Sequence, residues 1–311
     1  MQPVLAKSAT SRARKVHLAH QDFEKQLKSY LIGELKALRA AVPTDDLASV
    51  LHAAKDAEIF ELIDAKAMKG VFVGMNDMLV RGTAAGAKGA ADEVGRVAVL
   101  DAARPRISKW LKEHSAELVK QLNDTSRGAV RAIVRAGVES GRHPKKLAED
   151  VRSVIGLTEQ QATAVARRRA YLLSGDAQWK PGEVVDPLDD RPRSWPARTG
   201  MTPERANQLA DKYADQLLTQ RAENIARTES LTAVNHGRVA LWDQLVSDGA
   251  MKGQQEWDAS GDRAVCEKIC RPMHGKRVPL GAEWELPDGA TVIAPPGHPS
   301  CRCVVRLVTE D

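Results

Sequence analysis

The sequence predicts a mainly α protein: a helical N-terminal region followed by a small C-terminal α+β module with short antiparallel strands and a Cys/His cluster. Three observations lead there. Aromatic residues make up only 4% of the chain, so cores fall to Ala, Leu, Val and Ile, a palette of helix packing more than of β-sandwiches. Apolar residues recur at helical spacing from Ser8 onward. After Gly249 that rhythm gives way to β-branched and aromatic residues set among Gly and Pro turns, which is how short strands read.

Taken in order, Leu18, Phe23, Leu27, Leu31, Leu35 and Leu38 place one helix over about Ser8–Ala41. Pro43 interrupts it, and Thr44 or Asp45 caps a second helix running past Leu51, Ile59 and Ile63. Residues 70–95 are rich in Gly and Ala. Each glycine weakens a helix by about 1 kcal/mol relative to alanine, so this segment is either tightly packed or orders only on assembly. It lacks the Gly-Lys-Ser/Thr of a phosphate loop. Helices follow over Ile107–Leu122 and Thr125–Ser140, with Gly141 as a stop and Pro144 opening the next. Residues 143–173 read as a helix pair broken at Gly156, and Thr158 with Gln161 has capping-box spacing. Residues 174–203, rich in Pro and Gly and holding Trp179 and Trp195, form a long functional loop or insertion. A helix resumes over 203–245. The expected division is a helical, basic region over 1–140 and a second domain over 141–311, ending in the α+β module at 250–311.

The net charge is +5 and the pI about 9.0. Residues 1–40 hold eight Lys/Arg against three acids, an excess that equals the net charge of the whole chain. Such an arm suits nucleic acid or an acidic protein surface, or is a solvated helix face. No run of apolar residues is long enough to span a bilayer. The N-terminus has no continuous apolar core of a secretory signal, which places the protein in the cytoplasm when it is made.

Every cysteine of the chain lies within one C-terminal stretch: Cys266, Cys270, Cys301 and Cys303, with His274 and His298 among them. On a strand Cys301 and Cys303 share a face, and on a helical turn Cys266 and Cys270 do. Two same-face pairs can converge into a tetrahedral sulfur site for zinc, with His298 as an alternative ligand. Free buried thiols and disulfides are the competing readings. A Cys–His nucleophile lacks an orienting third group here. Asp262 has the position of an N-cap for a helix carrying Cys266 and Cys270, in preference to a metal-binding acid paired with Asp258.

At these residues the chain becomes recognisable. Ala226-Arg227-Thr228-Glu229, Asn235-His236-Gly237-Arg238 and Trp242 resemble the helical signature of the phage head-morphogenesis family typified by the Mu F protein. Asp262-Arg263, Cys266, Cys270, His274-Gly275 and the closing run Pro295-Pro296-Gly297-His298-Pro299-Ser300-Cys301-Arg302-Cys303 resemble its C-terminal signature. The resemblance covers about residues 215–308. Cys266 and Cys270 stand three residues apart where two is more familiar, and Gly297 separates Pro296 from His298.

The resemblance implies a minor head (capsid) protein of a tailed phage, a virion component acting in head morphogenesis at the portal and assembled in the host cytoplasm. Its expected partners are the portal and other head proteins, with sequence-nonspecific contact to packaged or ejected DNA, and neither a membrane nor a small-molecule substrate. It implies no catalytic residues. The alternative is a metal-dependent nucleic-acid-processing enzyme using the Cys/His cluster. Arg227, Glu229 and Arg238 are expected to form a buried clamp between helix and module, with Arg238 or a backbone donor pairing Glu229. His236 is expected to be a surface or packing histidine in preference to a ligand. Arg12, Arg14, Lys15, Arg167, Arg168, Arg169 and Arg302 are the candidates for contact with portal or DNA.

Overall fold

The computed structural model describes residues 4–52, 56–63, 72–139, 141–174, 201–259, 265–299 and 301–308, with side chains of the first helix from His20 onward. Among these residues the protein is mainly helical: α1 (Val4–Ala40), α2 (Thr44–His52), α3 (Asp56–Ile63), α4 (Met75–Val94), α5 (Pro105–Glu139), α6 (Pro144–Val154), α7 (Glu159–Ser174), α8 (Pro203–Ser247) and α9 (Cys270–Met273). Five short strands lie in the C-terminal part: β1 (Gln254–Asp258), β2 (Arg277–Pro279), β3 (Trp284–Glu285), β4 (Thr291–Val292) and β5 (Val304–Val308). No helix among the described residues is long and apolar enough to cross a membrane. Residues 175–200 of the expected loop, the side chains of Arg12, Arg14 and Lys15, and Asp262 lie outside the described residues.

The chain separates into two compact units, and none of the four points where it passes between them falls at residue 140. One unit comprises residues 30–73 and 117–222; the other comprises 1–29, 74–116 and 223–311. The reason is helix length: α1, α5 and α8 run 37, 35 and 45 residues, and each contributes residues to both units. The predicted break within α5 does not occur. Thr125 and Ser126 turn their hydroxyls back onto the carbonyls of Gln121 and Leu122, which lets such residues sit inside a helix rather than start one.

In the unit built from 30–73 and 117–222, Leu31, Leu35 and Leu38 of α1 are buried, as are Leu147, Val151 and Val154 of α6. The punctuation between helices is local and follows the sequence. Gly141 takes φ +64°, and Arg142 N–H returns to the Gly137 carbonyl, the left-handed stop that closes α5. Gly156 takes φ +88°. The capping box forms: Gln161 N–H donates to Thr158 Oγ1 (3.3 Å), and Thr158 N–H donates to Gln161 Oε1 (3.1 Å).

In the other unit α4 and α8 cross with their backbones in contact. A Cβ at Gly86 would lie 2.7 Å from the Val234 carbonyl carbon, and one at Gly237 would lie 2.7 Å from that of Thr83. The glycine-rich segment is therefore tightly packed where it is described, because only glycine lets two helices approach so closely. The core beyond this crossing departs from the expected aliphatic palette. Trp242, Trp257 and Trp284 are essentially buried, and Trp257 meets Trp284 edge to face at 5.5 Å, a favoured aromatic geometry. Strand β1 lies between β2 and β5 in an antiparallel sheet, and β3 pairs with β4. Along β1, Gln255 and Trp257 point inward while Glu256 points out. Glu256 is flanked across the sheet by Arg277 and Arg306, each at 2.9 Å, a cross-strand charge ladder on the outer face.

Candidate metal centre and helix clamp

Helix α9 begins at Cys270 with Ile269 as its N-cap, so Cys266 is not on it. Pro272 explains the late start: proline has no N–H and is tolerated only in a helix's first turn. Cys266 instead occupies the preceding turn, where its sulfur accepts hydrogen bonds from the backbone N–H groups of Lys268, Ile269 and Cys270, holding its thiol below the ordinary value.

The sulfurs of Cys270, Cys301 and Cys303 lie within 4.8 Å of one another, and all three residues are buried. Cys270 and Cys301 are 3.6 Å apart, too far for a disulfide bond of about 2.05 Å, and the cysteines are free. The separation matches the edge of a zinc–thiolate tetrahedron, about 3.8 Å for Zn–S bonds of about 2.3 Å. His298 Nε2 lies 3.0 Å from Cys270 Sγ, and its Nδ1 is 2.8 Å from the Pro299 carbonyl. Of the four predicted cysteine ligands, the structure brings three together, and it adds His298 at the edge. Gly297, unexplained in the sequence, has a packing role. A Cβ there would meet Ile269 at 3.1 Å and Leu286 at 3.4 Å, and its N–H bonds to Cys301 sulfur.

The three thiols share protons unequally. Cys301 is brought down to about 5, chiefly because the Cys303 thiol donates to it, with further help from the N–H groups of Cys303 and Gly297. Cys270 is pushed up to about 12 by burial and by the neighbouring Cys301 charge, and Cys303 is raised because it donates to Cys301. One thiolate stabilised by two thiol donors is a site that can hold a metal ion, which would displace the remaining protons.

Two residues of α8 fasten this region to the helix. Asn235, fully buried, donates from Nδ2 to the Pro295 carbonyl (3.0 Å) and the Cys303 carbonyl (3.3 Å), and accepts from Val305 N–H at 3.3 Å. It thus acts as a substitute strand along β5 and ties the segment leading to His298 to the segment carrying Cys303. Arg238 is 1% exposed. It donates to the Val305 carbonyl (3.2 Å), pairs with Glu93 and lies over the Trp242 ring at 4.9 Å. A buried guanidinium of this kind needs such partners to offset its desolvation. Asn235 went unremarked as a clamp in the sequence, because nothing local signals a contact 70 residues away.

The expected clamp is corrected in part. Arg238 joins helix to module, but Glu229 does not pair with it: Glu229 meets His114 at 2.6 Å, and Arg227 lies 3.5 Å from Glu24. At about 100° per residue, positions nine apart face opposite sides of a helix, so Glu229 and Arg238 cannot share a partner surface. His236 is a packing residue, stacked on Trp110 at 4.0 Å, and burial pushes its pKa down to about 3. The predicted contact arginines also separate. Arg167 is exposed, Arg168 lies over the Tyr213 ring at 4.9 Å, and Arg169 is buried between Asp150 (2.6 Å) and Asp211 (3.2 Å). Three consecutive helical residues span about 200° and cannot all face one partner. Arg302, in the stretch leading into β5, is exposed between two buried cysteines.

Residues 200–306 match the family of phage Mu protein F like proteins. The match takes in α8, the clamp and the cysteine cluster, and it points to a phage head protein. No curated protein and no solved structure gives a significant match.

Proposed function

We propose that the chain is a minor head protein of a tailed phage that acts at the portal during head morphogenesis, and that its C-terminal module is a docking unit stapled by structural zinc. The observation that supports this most directly is the coincidence of the Mu F-like match with the clamped module: the matched residues include Asn235, Arg238, Cys270, Cys301 and Cys303. Their roles in the fold are hydrogen bonding and sulfur clustering, which hold a surface in place. The exposed Arg167 and Arg302 and the basic residues of 1–40 fit acidic protein surfaces or phosphate, giving affinity without sequence reading.

The reading is non-enzymatic. Two acids of the module have structural work: Glu267 pairs with Arg271 at 2.8 Å, and Asp288 accepts from Ala290 N–H in the β3–β4 turn. A hydrolytic zinc needs an open position with an acid or base beside it. The test is binding of the purified full chain to isolated portal rings and to unrelated DNA fragments across a salt series. Portal binding, with DNA binding that weakens steeply with salt and ignores sequence, supports the proposal. Absence of portal binding, or metal-dependent DNA cleavage, overturns it.

A further inference from the structure

We propose that the fourth ligand of this metal site is His298 and not Cys266, making a Cys3His centre with Cys270, Cys301 and Cys303. The inference rests on the zinc reading above and specifies which atoms hold the ion.

The first argument is position. His298 Nε2 sits 3.0 Å from Cys270 Sγ, at the edge of the compact set of three sulfurs. His298 and Cys266 both lie outside that set, but His298 has its Nε2 within hydrogen-bond reach of one of the three sulfurs, and Cys266 is half-exposed in the turn before α9. The second argument is the tautomer. A ring nitrogen 2.8 Å from a carbonyl oxygen must be the protonated one, so Nδ1 donates to Pro299 and Nε2 carries the lone pair that faces Cys270. Metal-binding histidines are held in this way, with the far N–H donated to a carbonyl that fixes the ring. The Pro299 carbonyl belongs to the residue next to His298, so the ligand and its orienting acceptor come from one rigid turn.

The third argument is charge. Three thiolates and a neutral imidazole leave a zinc site with one net negative charge, and four thiolates leave two. The cluster is buried among Trp257, Leu286 and Met273, where each uncompensated charge is costly. Zinc suits the set, being content with mixed nitrogen and sulfur ligands in a tetrahedron.

The deciding experiment is zinc X-ray absorption on the purified full chain, with metal content measured on wild type, Cys266→Ser and His298→Gln. The expected result is three sulfurs at about 2.3 Å and one nitrogen at about 2.0–2.1 Å. Cys266→Ser should keep about one zinc per chain with an unchanged spectrum. His298→Gln should bind zinc more weakly by over roughly 100-fold, beyond the usual effect of losing an orienting partner. A four-sulfur shell, or loss of zinc in Cys266→Ser, overturns the ligand assignment while leaving zinc in place. A wild-type chain that binds no zinc overturns the zinc reading itself.

Discussion

Replacing Gly237 by alanine adds a single methyl group where α8 crosses α4. That methyl would sit 2.7 Å from the Thr83 carbonyl carbon and 2.8 Å from its Cα, against an ordinary carbon–carbon contact of about 3.5–4.0 Å. Backbone cannot swing aside as a side chain does, so α4 must retreat by about 1 Å, and close-packed interiors resist that. Gly86 faces the Val234 carbonyl in the same manner, so the retreat opens the crossing on both helices. Overpacking of this kind costs about 3 kcal/mol, offset by about 1 kcal/mol from alanine's better helix propensity. The net loss of about 2 kcal/mol lowers the melting temperature by about 4–8 °C. Gly33→Ala is the control: Gly33 is exposed on α1 with nothing within 4 Å of the added Cβ, so it should stabilise by up to about 1 kcal/mol. Thermal melts followed by circular dichroism read both variants. A Gly237→Ala protein melting at or above wild type would refute the claim that backbone contact at this crossing is what requires glycine.

Asn235→Leu leaves the Pro295 and Cys303 carbonyls and the Val305 N–H without partners, at about 1–3 kcal/mol for each buried group. Amide exchange of β5 should accelerate sharply while that of α5 is retained; uniform protection would contradict the strand-substitute role. Replacing Cys301 and Cys303 together by serine should abolish the native tryptophan fluorescence of the module, leave most helical circular dichroism, and release bound metal; an unchanged melt would exclude a metal staple. His236, held near 3 in the fold against about 6.5 unfolded, binds fewer protons when folded. Its contribution is therefore complete above about pH 6.5 and is lost as pH falls towards 3, with a limiting slope of about 1.4 kcal/mol per pH unit. His236→Gln should flatten that acid limb in denaturant titrations, and an equally steep limb would assign it to other groups.

What the sequence disclosed was whatever depends on neighbours along the chain. Gly141, Pro144, Gly156 and the Thr158–Gln161 box each act within one helical turn, and each appears where the sequence placed it. The alternation that exposes Arg302 and buries Cys301 and Cys303, just ahead of β5, is equally local. Features decided at a distance were illegible. The burial of Arg169 against Asp150 and Asp211 and the bridging by Asn235 both depend on partners elsewhere in the fold. One misassignment was avoidable from geometry: residues 229 and 238 face opposite sides of one helix.

The portal assignment is tested most directly by quantitative mass spectrometry of purified phage heads assembled with and without the portal protein. The account predicts the chain at a few copies in portal-containing heads and its loss from heads that lack the portal. Equal amounts in both kinds of head, or its absence from both, would contradict a role at the portal.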